Sequence, residues 1–251
     1  LPPDQTPRPR DILVVRFGSL GDLCLLGWTL SRLSCLPGSD DREVTLVTKQ
    51  AFAPLAQLFQ GVDGVIPLRG GSLTDLRDLA GYLKDQDWHD IFDAHGVLRS
   101  HGLLFFIGKH PRRRIAKDTV QRLALLRGQT ADPRLQRTMR ERFDAVFPDL
   151  SDPPPAEGPP PLAHLRPRQS PQPVLGLAPG AQWDTKRWPD THFAAVLRAH
   201  RRTGGRVRIF LGPREESWFA GSPLATAAAA DREGVELVRD LSLPEVAHSL
   251  A

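Results

Sequence analysis

Cysteine is nearly absent from this chain: Cys24 and Cys35 are the only two. Two thiols cannot build a disulfide framework or a cysteine metal cluster. They fit a reducing cytoplasm, where both act as small apolar residues. No stretch of eighteen uncharged apolar residues occurs, so no membrane-spanning helix is expected. The start, LPPDQTPRPRD, lacks an apolar signal core and lacks Met. Residues 1–10 read as a disordered leader or a remnant of processing or trimming. The eight histidines show no H-x-x-x-H spacing, and there is no G-x-S-x-G elbow, no dinucleotide G-x-G-x-x-G and no Gly-Lys-Ser/Thr phosphate loop. What remains is the composition of a globular protein, 40% hydrophobic and 25% charged. Its 251 residues suffice for two small domains or one large one.

Short β-type runs alternate with helical stretches. ILVV (12–15) precedes an apolar helix running to about Leu36, and VTLVT (44–48) precedes AFAPLAQLF. GVIPL (64–68) precedes LTDLRDLAGYLK, with leucines at 73, 76, 79 and 83 at helical spacing. DIFDA (90–94) precedes VLRSHGLLFFIG. That order implies a parallel sheet with crossover helices, and residues 11–150 are read as one Rossmann-like domain. The proline-rich segment 151–173 reads as an extended linker. A second series occupies 174–251: VLGLAPG (174–180), a helix entered at Pro189 and stopped by Gly204-Gly205, RVRIFLG (206–212), a helix EESWFAGSPLATAAAA, VELV (235–238) and a last helix from LPEVAHSLA. The series stops inside that helix, and the polypeptide is expected to continue past Ala251.

Ligands of parallel α/β sheets bind beyond the carboxyl ends of the strands. The first such turn reads RFGSLGDL (16–23). Gly18 and Gly21 allow positive φ and close approach of a ligand, and free N–H groups at the helix start attract anions. Asp22 has two readings: a first-turn acid offsetting the helix dipole, or a general base facing the crevice. The second series opens with PGAQWDTKRWP (179–189), where Lys186 lies near a helix start and suits a phosphate or diphosphate.

Taken together, R-F-G-S-L-G-D-L and P-G-A-x-W-x-T-K-R-W-P resemble glycosyltransferase family 9, the ADP-heptose:lipopolysaccharide heptosyltransferases. D-A-H-G-V-L-R-S (93–100), L-G-P-R-E-E (211–216) and L-S-L-P-E-V-A (241–247) are similar to three further family segments in the same order. The resemblance implies an α/β fold of GT-B architecture, two Rossmann-like domains facing across a cleft, with the C-terminal domain incomplete. The family's D-T/S-G-x-x-H-L donor segment, expected soon after residue 251, is not among these residues. It implies an inverting transfer of heptose from ADP-heptose to the Kdo/heptose inner core of lipopolysaccharide, with no cofactor beyond that donor substrate. Asp22 is then the catalytic base. Lys186, with Thr185 and Gly180, meets the donor diphosphate; Glu215 lies near the ribose and Leu241 near the adenine. Gly18, Ser19, Gly21, His95, Arg99 and Arg122 are implied on the acceptor side. The partners implied are the nucleotide-sugar, a lipid-linked or core oligosaccharide acceptor and the inner-membrane surface, for a monomer on the cytoplasmic face.

Between Lys109 and Arg142 stand eleven Lys/Arg against three acids, Asp118, Asp132 and Glu141, although the whole chain carries only +4. The stretch reads either as a solvated face or as a surface for phosphate, sugar acid, anionic lipid or nucleic acid. With the resemblance, Arg112, Arg113 and Arg114 join Arg99 and Arg122 as candidates for the acceptor's acids, and Ala116-Lys117 replaces the family's Gly-aromatic step. Asp85-Gln86-Asp87 matches a metal-binding D-x-D but falls before the fourth strand, so it reads as a solvated turn and no metal requirement is expected. Trp183 and Trp188 are expected to pack a domain core. The rival readings are a family 9 transferase using another nucleotide-sugar, a non-catalytic nucleotide-binding module, and a nucleic-acid-binding protein. The last is weakened by the lack of any recognised module or interleaved aromatics.

Overall fold

The computed structural model describes residues 10–130, 132–150, 160–165, 172–181 and 183–250. Of the leader read over residues 1–10, residues 1–9 lie outside that set and Arg10 instead opens the first strand; 151–159 and 166–171 of the proline-rich segment also lie outside it. The chain divides into two compact units, Leu1–His164 and Leu165–Ala251.

The first unit holds β1 (Arg10–Val15), α1 (Leu20–Leu33), β2 (Arg42–Lys49), α2 (Ala53–Ala56), β3 (Gly64–Leu68), α3 (Leu73–Lys84), β4 (Asp90–Asp93), α4 (Leu98–Ile107), β5 (Arg113–Arg114), α5 (Thr119–Leu126) and α6 (Met139–Asp144). Its five strands are all parallel, in the order β3-β2-β1-β4-β5. Alternate residues of β1 point to opposite faces. Leu13 and Val15 pack with Leu76, Leu79 and Leu83 of α3 and Leu103, Leu104 and Ile107 of α4. On α1, Thr29 and Arg32 bind Asp144 of α6 at 2.8 and 2.5 Å. Ile12 and Val14, on the other face of β1, are also buried. Burial on both faces explains why β1 reads as a continuous apolar run.

The second unit holds β6 (Val174–Leu177), α7 (Asp190–Arg202), β7 (Arg206–Leu211), α8 (Glu216–Phe219), α9 (Pro223–Ala229), β8 (Val235–Arg239) and α10 (Leu243–Leu250). Its sheet is parallel, in the order β6-β7-β8. Ala194 and Leu197 of α7 and Leu224, Ala227 and Ala228 of α9 pack with Val207, Ile209 and Leu211.

Several elements differ from the sequence reading. The stretch EESWFAGSPLATAAAA is two helices, because Ser222 caps a new start, accepting from the Ala225 N–H at 3.0 Å, and Pro223 has no N–H to continue α8. Helix α1 ends at Leu33, and AFAPLAQLF yields a single turn. Pro189 is the residue before α7, not its first. Strand β5 and helices α5 and α6 arise within or at the end of the basic stretch, where no apolar period announced them. The described residues 160–164, read as linker, belong to the first unit. There Pro161 is buried, its carbonyl accepts from the Gln60 N–H at 2.8 Å, and glycine at 27 leaves room for its ring.

Candidate active site

In the first sheet the strand order reverses between β1 and β4, and this switch point is where the crevice beyond the carboxyl ends opens. The loop after β1 carries Arg16 to Ser19, the loop after β4 carries Ala94 to Val97, and the loop after β5 carries Ile115 to Asp118.

Asp22 sits in the first turn of α1, three residues after the capping position of Ser19. Its carboxylate is held on one side. Arg16, 3% exposed, donates to its Oδ2 at 2.6 Å and Ser19 Oγ donates to the same oxygen at 3.1 Å. The Ser19 hydroxyl therefore serves Asp22 rather than the helix N–H groups. Arg16 is itself fixed by donating to the Ala94 carbonyl at 2.8 Å, and its guanidinium lies over the Phe143 ring at 5.2 Å. Both bonds to Asp22 use Oδ2, so Oδ1 has no partner among the described residues, and the side chain keeps 31% exposure. Gly18 and Gly21 both have negative φ, which corrects the reading that they supply left-handed backbone. Gly18 is buried, and a Cβ there would stand 3.3 Å from the Phe52 ring; Gly21 has open space around it.

His95 projects from the loop after β4. Asp93, fully buried, shapes that loop: its carboxylate accepts from the N–H groups of His95 and Gly96 at 3.0 and 2.8 Å, from Ser100 Oγ at 3.1 Å and from Arg114 Nε at 2.7 Å. Gly96 at φ +61 takes the left-handed turn that follows. The His95 ring stands edge-on to Phe17 at 5.6 Å, and its Nδ1 is buried without a hydrogen-bond partner. Burial, then the neighbouring Arg16 and Lys117 cations, pushes its pKa down to about 4, against smaller opposing pulls from Asp93 and Asp22. The imidazole is therefore neutral near pH 7. Lys117 is brought to the same place: a Cβ on Gly96 would lie 3.3 Å from its Cε. Partial burial and Arg16 hold its ammonium below the ordinary lysine range, while Asp22 and Asp93 pull it back.

Most of the arginines proposed for the acceptor are already engaged. Arg112 pairs with Asp90 at 2.7 Å, Arg113 donates to the Ala145 carbonyl at 3.3 Å and Arg114 pairs with Asp93. Arg99 donates to the Gly71 carbonyl at 3.3 Å. The Arg122 side chain is exposed and has no hydrogen-bond or ion-pair partner among the described residues. Asp85-Gln86-Asp87 lies at the end of α3, ahead of β4 and away from the crevice edge. Among the described residues no group of three His, Cys, Asp or Glu side chains is placed to hold a metal ion.

In the second unit, the turn after β6 and the loop after β7 meet. A Cβ added at Gly180 would overlap the Glu215 carboxylate, which accepts from the Gly212 N–H at 2.8 Å. Thr185 and Lys186 follow on a single exposed 3-10 turn, and Lys186 has no ion-pair partner among the described residues. Its neighbour Arg187 is held instead, by Asp184 at 3.0 Å and over the Trp218 ring at 4.8 Å. Leu241 follows β8, 38% exposed. Trp183 and Trp188 are 60% and 47% exposed and do not pack the core; Trp218, half-buried, packs against it. Arg16 and Asp93 stand in the quoted motifs and Lys117 in the Ala116-Lys117 step, but the sequence reading gave none of the three a site role, since which side chains become buried and paired leaves no local pattern.

Residues 76–251, well over half of the chain, match the model of glycosyltransferase family 9 (heptosyltransferase). The chain belongs to glycosyltransferase family 9. Lipopolysaccharide heptosyltransferase 1 of Pseudomonas aeruginosa is 26% identical over 278 aligned residues, spanning 96% of this chain and 70% of that protein. The E. coli heptosyltransferase WaaC with ADP superposes with a TM-score of 0.67 at 20% identity, over 95% of this chain and 78% of that one. The family 9 protein of Veillonella parvula gives 0.66 at 17% identity, over 96% and 73%. The two parallel α/β units are thus those of a family 9 transferase of GT-B architecture, and the chain spans about three quarters of these structures. The family match begins at Leu76, so the turn with Asp22 is covered by the longer relatives alone. No described helix of this family 9 chain is long and apolar enough to cross a membrane.

Proposed function

We propose that the protein transfers heptose from ADP-heptose to an acidic inner-core saccharide of lipopolysaccharide, with inversion, in one displacement. The observation that carries this reading is the Asp22 carboxylate. Arg16 and Ser19 hold one oxygen at the switch point of the first sheet, and the other is uncommitted. Oδ1 takes the proton of the acceptor hydroxyl as its oxygen attacks the anomeric carbon. The bond from that carbon to the diphosphate oxygen breaks, and ADP leaves with the electron pair. Lys186 steadies the growing charge on the diphosphate. Asp190 already occupies the first turn of α7 and offsets its dipole, so the cation carries this task. Glu215 and Leu241 receive the nucleoside, and neutral His95 with Lys117 and Arg122 receives the acceptor. The reaction needs no metal and no cofactor beyond the donor, so EDTA leaves the rate unchanged. The enzyme works as a monomer at the cytoplasmic surface of the inner membrane, where a lipid-linked acceptor is presented.

The test is a pair of variants. Asp22→Asn keeps ADP affinity and loses kcat by about 10²–10⁴-fold, the ordinary worth of a general base; Lys186→Ala weakens ADP in calorimetry. Wild-type kcat in the first variant, or unchanged ADP affinity in the second, defeats the assignment.

A further inference from the structure

Helix α5 buries none of its eight residues. Val120, Leu123, Leu125 and Leu126 are 75%, 46%, 46% and 84% exposed. A helix this short does not persist in water on propensity alone, and clustered aliphatic side chains left in solvent mark a contact surface. The fold nevertheless fixes both ends. Asp118 enters at φ +48 while bound by the buried Arg142, and Gly128 leaves at φ +79. The helix is therefore presented rather than packed.

The charges around it select the occupant. Lys117, Arg122 and Arg127 stand before, within and after the helix. The acids nearby in sequence are occupied: Asp118 by Arg142 and Asp132 by Arg134 at 2.9 Å. The surface thus combines exposed leucines with unneutralised cations. A second copy of the chain in two-fold contact would bring the same cations together with no acid on either α5 to offset them. A bilayer with anionic headgroups satisfies both features, taking the leucines at the acyl boundary and the arginines at the phosphates.

We propose that α5 is a membrane-docking helix that seats the enzyme on anionic lipid. This rests on the proposed transferase only in that a lipid-linked acceptor lies in such a surface; α5 follows the Lys117 loop and would bring the acceptor side to it. The test is co-sedimentation of the whole chain, without donor or acceptor, with vesicles of phosphatidylcholine alone and of equal parts phosphatidylcholine and phosphatidylglycerol. Binding is expected to the mixed vesicles and not to the neutral ones. Arg127→Gln should lower the partition coefficient about fivefold, and Val120→Ser with Leu126→Ser about tenfold. Turnover of a lipid-free acceptor saccharide by the same variants stays at the wild-type level. Unchanged vesicle binding in the serine variant, or equal binding to neutral vesicles, overturns the proposal. So does a wild-type dimer in sedimentation velocity that the serine variant dissolves, since the occupant is then a second copy. Loss of lipid-free turnover on Asp22→Asn is read separately, so the transferase and docking readings fail independently.

Discussion

At the scale of single residues, a neutral histidine among charges makes stability depend on pH. His95 has its pKa pushed from the ordinary 6.5 down to about 4 in the folded chain, mainly by burial. The unfolded chain therefore binds a proton that the folded chain refuses. The stabilisation is complete above pH 6.5 and is lost as pH falls through the window down to about 4. With partial solvent screening the loss is about 2 kcal/mol. Urea midpoints measured across that window should fall with pH in the wild type, and the limb should flatten in His95→Gln. Gly180 gives a second residue-scale test. A Cβ there would displace the end of the Glu215 side chain and its bond from the Gly212 N–H, so Gly180→Ala should lower stability by no more than about 1 kcal/mol and weaken ADP binding. Glu215→Ala alone should weaken ADP to a similar degree, and the double variant should weaken it no further. Asp22 was legible because an acid at a strand-to-helix turn is conspicuous. Its restraint by Arg16 was not, because Arg16 could equally have reached solvent until Ala94 and Phe143 were seen around it.

Elements were legible where burial imposed a period. Of the four strands that read as apolar runs in the first sheet, β1 and β4 are buried on both faces, β2 is buried over Leu46 to Thr48, and β3 is only half-buried before Leu68; the leucines of α3 at 76, 79 and 83 face the core, while Leu73 is exposed. Strand β5 is two exposed arginines at a sheet edge, which no hydrophobic pattern can announce. The break between α8 and α9 is decided by a cap. Ser222, 4% exposed, receives the Ala225 N–H, and Ser222→Ala should cost about 1 kcal/mol in the urea midpoint of the second unit.

For the whole molecule, the count of eleven cations against three acids overstated the free charge between Lys109 and Arg142. Arg112, Arg114, Arg134 and Arg142 are paired with aspartates. Of the cations that remain, Lys117 lies beside Gly96 and His95, on the acceptor side of the proposed reaction. Acceptor KM should therefore rise about tenfold from low to high salt, as screening shortens to a few ångströms. Donor KM, which in the proposed reaction rests on the single cation Lys186, should rise less.

The alternating apolar runs, the two glycine-marked turns and the family were determined by the sequence alone, because burial on both faces of a parallel sheet and turn chemistry act on neighbouring residues. Only the tertiary structure decided which arginines are neutralised, which oxygen of Asp22 is available, that His95 is uncharged and that α5 stands in solvent. Those properties depend on partners such as Ala94, Asp93 and Phe143, distant in the chain and brought near by the sheet order β1-β4-β5, and on burial that no local spacing records.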